Sequence, residues 1–284
     1  MSRPRFALHA IAGIFAAALA GAPTTPAAAQ SLWMPRDTDY TISLEMLRPN
    51  LEGVDSDALS GAFFLAGRAK LSPRVTFVGE LPYVSHSSKS VATDFNGNEI
   101  IEDVSSSTIG NPYVGLEARL GSGPAFLEIG GRPPLTSDEE FEAVLTGIFS
   151  DVNRFPTFLP DVASIQAAFN LREVTPSKLA YRLRLSPMVA IPTGDNNGDS
   201  ELYAMYAFQI GYHGSAARVG AGMSGMALLT EDSGNLGQRS RNQFEIHADF
   251  LPGAIRPGLD LHVPLGSEAN YVPVVVGASI SWTR

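Results

Sequence analysis

His247 and Asp249 stand two residues apart, and Asp260 and His262 repeat that spacing a little further on. In an extended chain a two-residue step puts both side chains of a pair on one face, so these four can gather into an acid–base or metal-ligating group. Nucleophilic catalysis would also need an activated hydroxyl or thiol within reach of the imidazole. No such residue stands at a defined spacing, neither a His-Glu-x-x-His run nor a Gly-x-Ser-x-Gly elbow occurs, and cysteine is absent. The histidines therefore read as hydrogen-bonding residues of a polar interior, with no catalytic residue, cofactor or metal expected. Asp195, Asn197 and Asp199 have the alternate-residue oxygens that open a calcium loop, but the glycine and closing glutamate of that loop are out of place. Asn197-Gly198 reads instead as a turn.

A larger set of charges follows the same alternating rhythm. Arg68, Glu80, Glu117, Arg119, Glu128, Arg132, Arg182, Arg184, Glu245, His247, Asp249 and Asp260 all fall on the polar side of two-residue repeats. Two readings stand for them: a charged pore that orders polar solutes, or a salt-bridged filling that satisfies an interior.

The elements that must carry these residues are strands. From Tyr40 onward the hydrophobic period is two, the signature of strands with one apolar face. Phe244, Ile246, Ala248 and Phe250 alternate with Gln243, Glu245, His247 and Asp249; Leu179, Tyr181, Leu183 and Leu185 alternate with Arg182, Arg184 and Ser186. Near the end, Val272, Val274, Val276, Ala278, Ile280 and Trp282 read as one outward row. The same pattern predicts strands at 40–48, 58–71, 75–84, 108–120, 125–134, 165–174, 179–192, 201–212, 216–230, 241–251, 254–265 and 271–283, twelve in all. Most have the length of a tilted membrane-spanning strand rather than of an ordinary globular one.

Tight turns at Ser72-Pro73, Gly121-Ser122-Gly123, Thr175-Pro176-Ser177, His213-Gly214-Ser215 and Pro252-Gly253 alternate with longer connections at 49–57, 85–107, 135–164, 193–200, 231–240 and 266–270. Outer-membrane barrels sort their connections this way, short on the periplasmic side and long outside. Pro82, Pro112, Pro133, Pro134, Pro192, Pro264 and Pro273 fall near predicted external strand ends, and Pro187, inside a strand, predicts a bulge. Tyr40, Tyr181, Tyr212 and Trp282 suit a lower aromatic girdle. The fold class expected is an all-β, twelve-stranded antiparallel transmembrane barrel. Eight strands leave room for side chains and sixteen for an aqueous channel, so twelve is the intermediate size.

The longest connection alone shows helical period. Ser137 and Glu140 read as a capping box, and Phe141, Val144, Leu145, Ile148 and Phe149 as the apolar stripe of a helix over 137–150. Phe141, Leu145 and Ile148 are candidates for a constriction at the barrel mouth, with a cap on the outer surface as the alternative.

Residues 1–29 read as a secretory signal peptide, with Arg3 and Arg5, an apolar run from Ala10 to Ala20, and Ala27-Ala28-Ala29 before the cleavage point. A periplasmic segment at 30–39 and the barrel at 40–284 follow. The net charge of −9 becomes more negative once the two leader arginines are gone, which argues against nucleic-acid binding. Without cysteine, an exported chain is held by its backbone ladder and packing.

Three segments resemble the outer-membrane transporter family associated with the meta pathway of phenol degradation (MetA-type). They are Glu80-Leu81-Pro82-Tyr83, Ile109-Gly110-Asn111-Pro112-Tyr113-Val114-Gly115-Leu116 and Pro192-Thr193-Gly194-Asp195. The resemblance implies a barrel that moves small, often aromatic, compounds and carries no catalytic residues. The expected function is thus an outer-membrane channel or facilitated transporter for small, possibly aromatic or hydrophobic, solutes in a Gram-negative envelope. A structural or adhesive barrel is the alternative, and a lipid-acting enzyme a third. Outer-membrane lipid and lipopolysaccharide, the barrel assembly machinery and a small-molecule solute are the partners such a protein implies.

Overall fold

A computed structural model describes residues 39–52, 55–93, 99–194, 198–230, 239–251 and 253–284. The expected signal peptide lies outside the described residues, as do Asp195 and Asn197 of the calcium-like run. Among the described residues twelve strands build the wall of one sheet: β1 (Tyr40–Pro49), β2 (Gly61–Lys70), β3 (Val75–Thr93), β4 in two pieces (Glu99–Ile109 and Tyr113–Arg119), β5 (Ala125–Arg132), β6 (Val162–Val174), β7 (Leu179–Pro192), β8 (Glu201–His213), β9 (Ala217–Leu228), β10 (Ser240–Phe250), β11 (Ile255–Leu265) and β12 (Val275–Thr283), and a two-residue strand, Asp55–Ser56, pairs with Lys89 and Ser88 of β3. Consecutive strands pair antiparallel, and β12 returns to β1 with Thr41 opposite Thr283 and Pro49 opposite Val275. The sheet is a closed barrel.

Its two faces invert the arrangement of a water-soluble protein. Leu116, Leu127, Ile129, Phe169, Leu185, Phe208, Ile246, Leu259 and Ile280 are exposed on the outside, while Glu45, Arg68, Glu80, Glu117, Glu128, Gln209, Glu245 and Asp260 are buried within. Lipid is the solvent that such an exterior fits. Tyr212 and Trp282 lie exposed on it at the periplasmic end. Among the described residues no helix is long and apolar enough to cross a membrane; the crossings are made by strands. The chain is an outer-membrane β-barrel. Purified protein refolded in detergent is expected to migrate faster on a gel unheated than boiled, because a closed barrel offers no edge at which to unravel. Equal mobility, with solubility in plain buffer, would instead indicate an open sandwich.

Short turns at 71–74, 120–124, 175–178 and 214–216 close one end, where β10 ends at Phe250 and β11 begins at Ile255. At the other end the connection expected over 85–107 is largely strand. β3 runs on to Thr93 and β4 begins at Glu99, and the two form a hairpin that stands above the rim, since β5 ends at Arg132. The offset between them changes by one residue: Tyr83 faces Ile109, but Glu80 faces Tyr113. Leu81 and Pro82 thus oppose Gly110, Asn111 and Pro112, a bulge with prolines on both strands where a ladder bond would be missing in any case. Pro82 therefore lies inside β3 rather than at its end.

Pro187 makes no bulge. Gln166 faces Met188 and Phe169 faces Leu185 at an unchanged offset, so no residue is inserted. The ladder is skipped between Ala167–Ala168 and Ser186–Pro187, and the Ser186 hydroxyl donates to the Ala167 carbonyl at 3.0 Å to replace part of the lost pairing. At the C-terminal strand, pairing starts at Val275, and Val272 turns inward to full burial instead of facing lipid.

Helix α1 spans Phe141–Ile148, shorter than expected. The capping box does not form: the Ser137 hydroxyl accepts from the Glu139 amide at 3.2 Å, and the Glu140 carboxylate accepts from the Ser107 amide of β4 at 3.3 Å. The acid that would have closed the box is used to fasten the helix to the hairpin.

Candidate functional site

The 133–161 connection leaves β5, carries α1 and a 3-10 turn at Val152–Phe158, and folds into the outer half of the lumen before entering β6. On one side Ala143 and Phe158 pack with Leu47 of β1, Ala62 and Phe64 of β2, Val84 of β3, and Val272 and Val275. On the other, Val152 and Phe155 pack with Met188 and Ala190 of β7, Tyr203 and Met205 of β8, and Met226 of β9. β2 and β8 stand six places apart in a ring of twelve. The segment therefore spans the lumen from wall to opposite wall, as a plug.

The face it presents meets the expected stripe in part: Val144 is buried, and Ile148 and Phe149 pack against the first of these clusters. Phe141 is 61% exposed and Leu145 and Ile148 are half-buried, while Ala143, Val144, Thr146 and Gly147 are buried. The small flank docks because the Phe158 ring lies directly on the helix: a Cβ at Gly147 would come within 2.4 Å of it. His86 of β3 reaches Thr146 at 2.9 Å, and Ser106 of β4 accepts from the Ala143 amide at 2.9 Å.

Asn111, in the bulge of β4, ties down both ends of the plug. Its side-chain oxygen accepts from the amides of Leu135 (2.6 Å) and Thr136 (2.9 Å), and its side-chain nitrogen donates to the carbonyls of Pro156 (3.2 Å), Leu159 (2.8 Å) and Val162 (3.3 Å). Its own carbonyl accepts from Arg132 at 2.7 Å. A fully buried amide satisfied on every side fixes one geometry, because each broken bond would leave a desolvated group.

The plug's tip is Arg154, 2% exposed. Its guanidinium meets Glu45 of β1 at 2.6 Å and Glu80 of β3 at 3.1 Å, lies 3.7 Å from Asp151, and stacks on Phe64 of β2 with 3.9 Å to the ring centre. Burial alone would lower its pKa, but Glu45, Glu80 and Asp151 more than reverse this and hold it raised, permanently charged. Arg132 occupies the other oxygen of Glu80 at 2.6 Å. Across the lumen, Gln243 of β10 donates to Asp151 at 2.9 Å and accepts from the Val152 amide at 3.0 Å, and Asn153 donates to Glu245 at 3.2 Å.

Below the plug the interior is filled by two kinds of network. Toward β4–β7, Glu117 pairs with Arg172 and, at 3.3 Å, with Arg68, while Glu128 takes both ends of Arg184 at 2.7 and 3.1 Å and the Tyr113 hydroxyl at 2.8 Å. Arg182 is buried beside them, opposite Arg172 in the register. Tyr113 finds room only because Gly130 faces it; a Cβ there would stand 2.2 Å from its hydroxyl. Toward β9–β11 Glu245 accepts from Ser224 and Gln243, the His247 ring lies between Asp260 (2.7 Å) and Asp249 (3.1 Å), and Arg218 stands opposite Asp249 in the register. Arg119 departs from the rest, exposed at the periplasmic end with its guanidinium 5.3 Å from the Phe126 ring centre. Among the described residues no group of three or more metal-ligating side chains forms.

Sequence reasoning passed over Arg154, Asn111, Asp151 and Glu45. For Arg154 a signal existed: Val152-Asn153-Arg154-Phe155-Pro156-Thr157-Phe158 is too aromatic for a connection bathed in water.

No protein-family model matches the chain, and no curated protein is similar to it in sequence. Among solved structures, an outer-membrane channel from Pseudomonas putida F1 is similar with a TM-score of 0.55 at 12% identity, over 88% of this chain and 99% of that one. LpxR from Salmonella typhimurium is similar with a TM-score of 0.50 at 8% identity, over 86% of this chain and 100% of that one. At such identities the shared property is the fold.

Proposed function

We propose that this barrel is a channel or facilitated transporter for small solutes whose conduit is opened and closed by the inward-folded 133–161 segment. One observation carries the reading: the segment crosses the lumen from β1–β3 to β7–β9 by apolar packing at both walls, fastened by a buried ion pair to β1 and a hydrogen bond to β10, so it stands across the path that the barrel encloses. The solved structure similar in fold that is described as a channel supports it. The resemblance to the phenol-pathway family points to aromatic or hydrophobic solutes as the cargo. Under this reading Arg68, Glu80, Glu117, Arg119, Glu128, Arg132, Arg182, Arg184, Glu245, His247, Asp249 and Asp260 line the permeation path.

Replacing 141–158 with a short glycine-serine linker should raise single-channel conductance in a planar bilayer while heat-modifiable mobility is retained. In that open variant, changing Arg182 and Arg184 together to glutamine should move ion selectivity toward cations, because both lie on the basic wall and a cationic ring favours anions. Selectivity that ignores both arginines would place them off the path. A linker variant that passes neither ions nor small aromatic solutes would end the transport reading in favour of a structural one, for which the hairpin above the rim is the element to examine.

A further inference from the structure

The contacts of Arg154 describe a site as well as a latch. Three adjacent strands supply its parts: Glu45 from β1, Phe64 from β2 and Glu80 from β3. The two carboxylates take different nitrogens of the guanidinium, at 2.6 Å for Nη2 and 3.1 Å for Nε, and the ring lies 3.9 Å from its central carbon. Glu45 holds the guanidinium by a charge-assisted hydrogen bond, Glu80 adds charge without one, and the aromatic face stacks below, so the seat recognises a planar, delocalised cation by charge, one directed bond and stacking.

We propose that this seat is a binding site for small organic cations of the guanidinium and alkylammonium class, filled in the closed barrel by the channel's own Arg154. The inference rests on the gated-channel reading and adds to its aromatic or hydrophobic cargo a cationic class recognised at the gate, distinct from the ion preference set by the basic wall below. When the plug lifts, Arg154 and Asp151 leave together. Glu45 and Glu80 remain, with Arg132 on one oxygen of Glu80 as the countercharge. Carboxylates held against an apolar wall need a compensating cation, and the seat is shaped for one that also stacks on Phe64. A solute bearing such a group exchanges with Arg154 at the seat. A neutral solute of the same size has no such exchange to offer, and sodium satisfies the carboxylates without using the ring.

The experiment compares uptake of methylguanidinium and of methylurea, its neutral analogue in shape, into liposomes carrying the full-length protein. Methylguanidinium is expected to enter about tenfold faster, the worth of one charge-assisted contact, and Glu45→Gln is expected to bring the ratio close to one. Equal entry in the wild type, or a preference that survives Glu45→Gln, overturns the seat and leaves the channel reading standing. Entry of neither solute, in wild type or in the linker variant, overturns both. A second measurement does not depend on transport or on folding of the Glu45 variant. In detergent, millimolar methylguanidinium should raise the temperature at which Arg154→Ala loses its heat-modifiable form, and sodium at the same ionic strength should not. Equal effects of the two cations would also overturn the seat.

Discussion

Arg154→Ala is expected to release the plug at a cost of about 3 to 5 kcal/mol, the usual result of removing one partner from a buried ion pair. The loss exceeds that of a surface contact because Glu45 and Glu80 are 3% and 4% exposed, so neither can replace the guanidinium with water. Frequent opening in a planar bilayer and protease cleavage within 133–161 should accompany it, with the barrel's heat-modifiable mobility kept. The double change Arg154→Met with Glu45→Gln should be milder than Arg154→Ala, since it removes a charge from each side and refills volume against Phe64. If the double variant opens as readily as the single one, the ion pair is not what closes the barrel, and the contacts of Phe158 must take that role.

The lipid-facing wall gives the second large effect. Phe208→Arg or Ile246→Arg places a charge where the side chains are 53% and 45% exposed on the outer face, and each should cost about 2 to 4 kcal/mol near the bilayer midplane. One residue along the chain, Gln209 is 4% exposed and donates to Glu245 at 3.4 Å. Gln209→Ala should cost about 1 kcal/mol, the loss of a neutral donor. Urea unfolding in lipid vesicles measures all three. Greater damage from the inward change would mean that the alternation is displaced by one residue.

That alternation is the part of the molecule most legible in the sequence. A two-residue period with opposite polarity on its faces can be satisfied only by a sheet with different solvents on its two sides, so Phe208 against Gln209 already separates outside from inside. The hairpin above the rim was not legible because Val84–Thr93 and Glu99–Ile109 are rich in serine and charge. Such residues match a solvated strand and a loop equally well once no lipid enforces a face. The charge networks of the lower lumen follow from which residues point inward, but their pairing depends on the stagger between strands, which period alone does not carry. The plug was the least legible element. Its helix showed a stripe, but tertiary contact left Phe141 outside it and brought in the small flank around Gly147, and the residue that anchors the tip is a single arginine with partners more than seventy positions away. Asn111 stands in a segment that resembles a transporter family, and its role of fastening two chain ends cannot be read from that segment alone.

The way Asn111 gathers those ends has a consequence for how the inner segment can vary. Leu135 and Thr136 enter at this residue, and Pro156, Leu159 and Val162 leave from it, so the stretch between them is a loop whose base is already closed. The entropy of closing a loop grows only with the logarithm of its length, about 0.6 kcal/mol for each doubling. Residues can thus be added or removed between Thr136 and Pro156 without pulling on β5 or β6, and the register of the wall is insulated from whatever the insert becomes. The molecule is in effect a socket and its fitting: a fixed cylinder specified by alternation, and a module whose base is closed at one asparagine, so that a change in its length or tip alters its own contacts with the wall before it alters the wall.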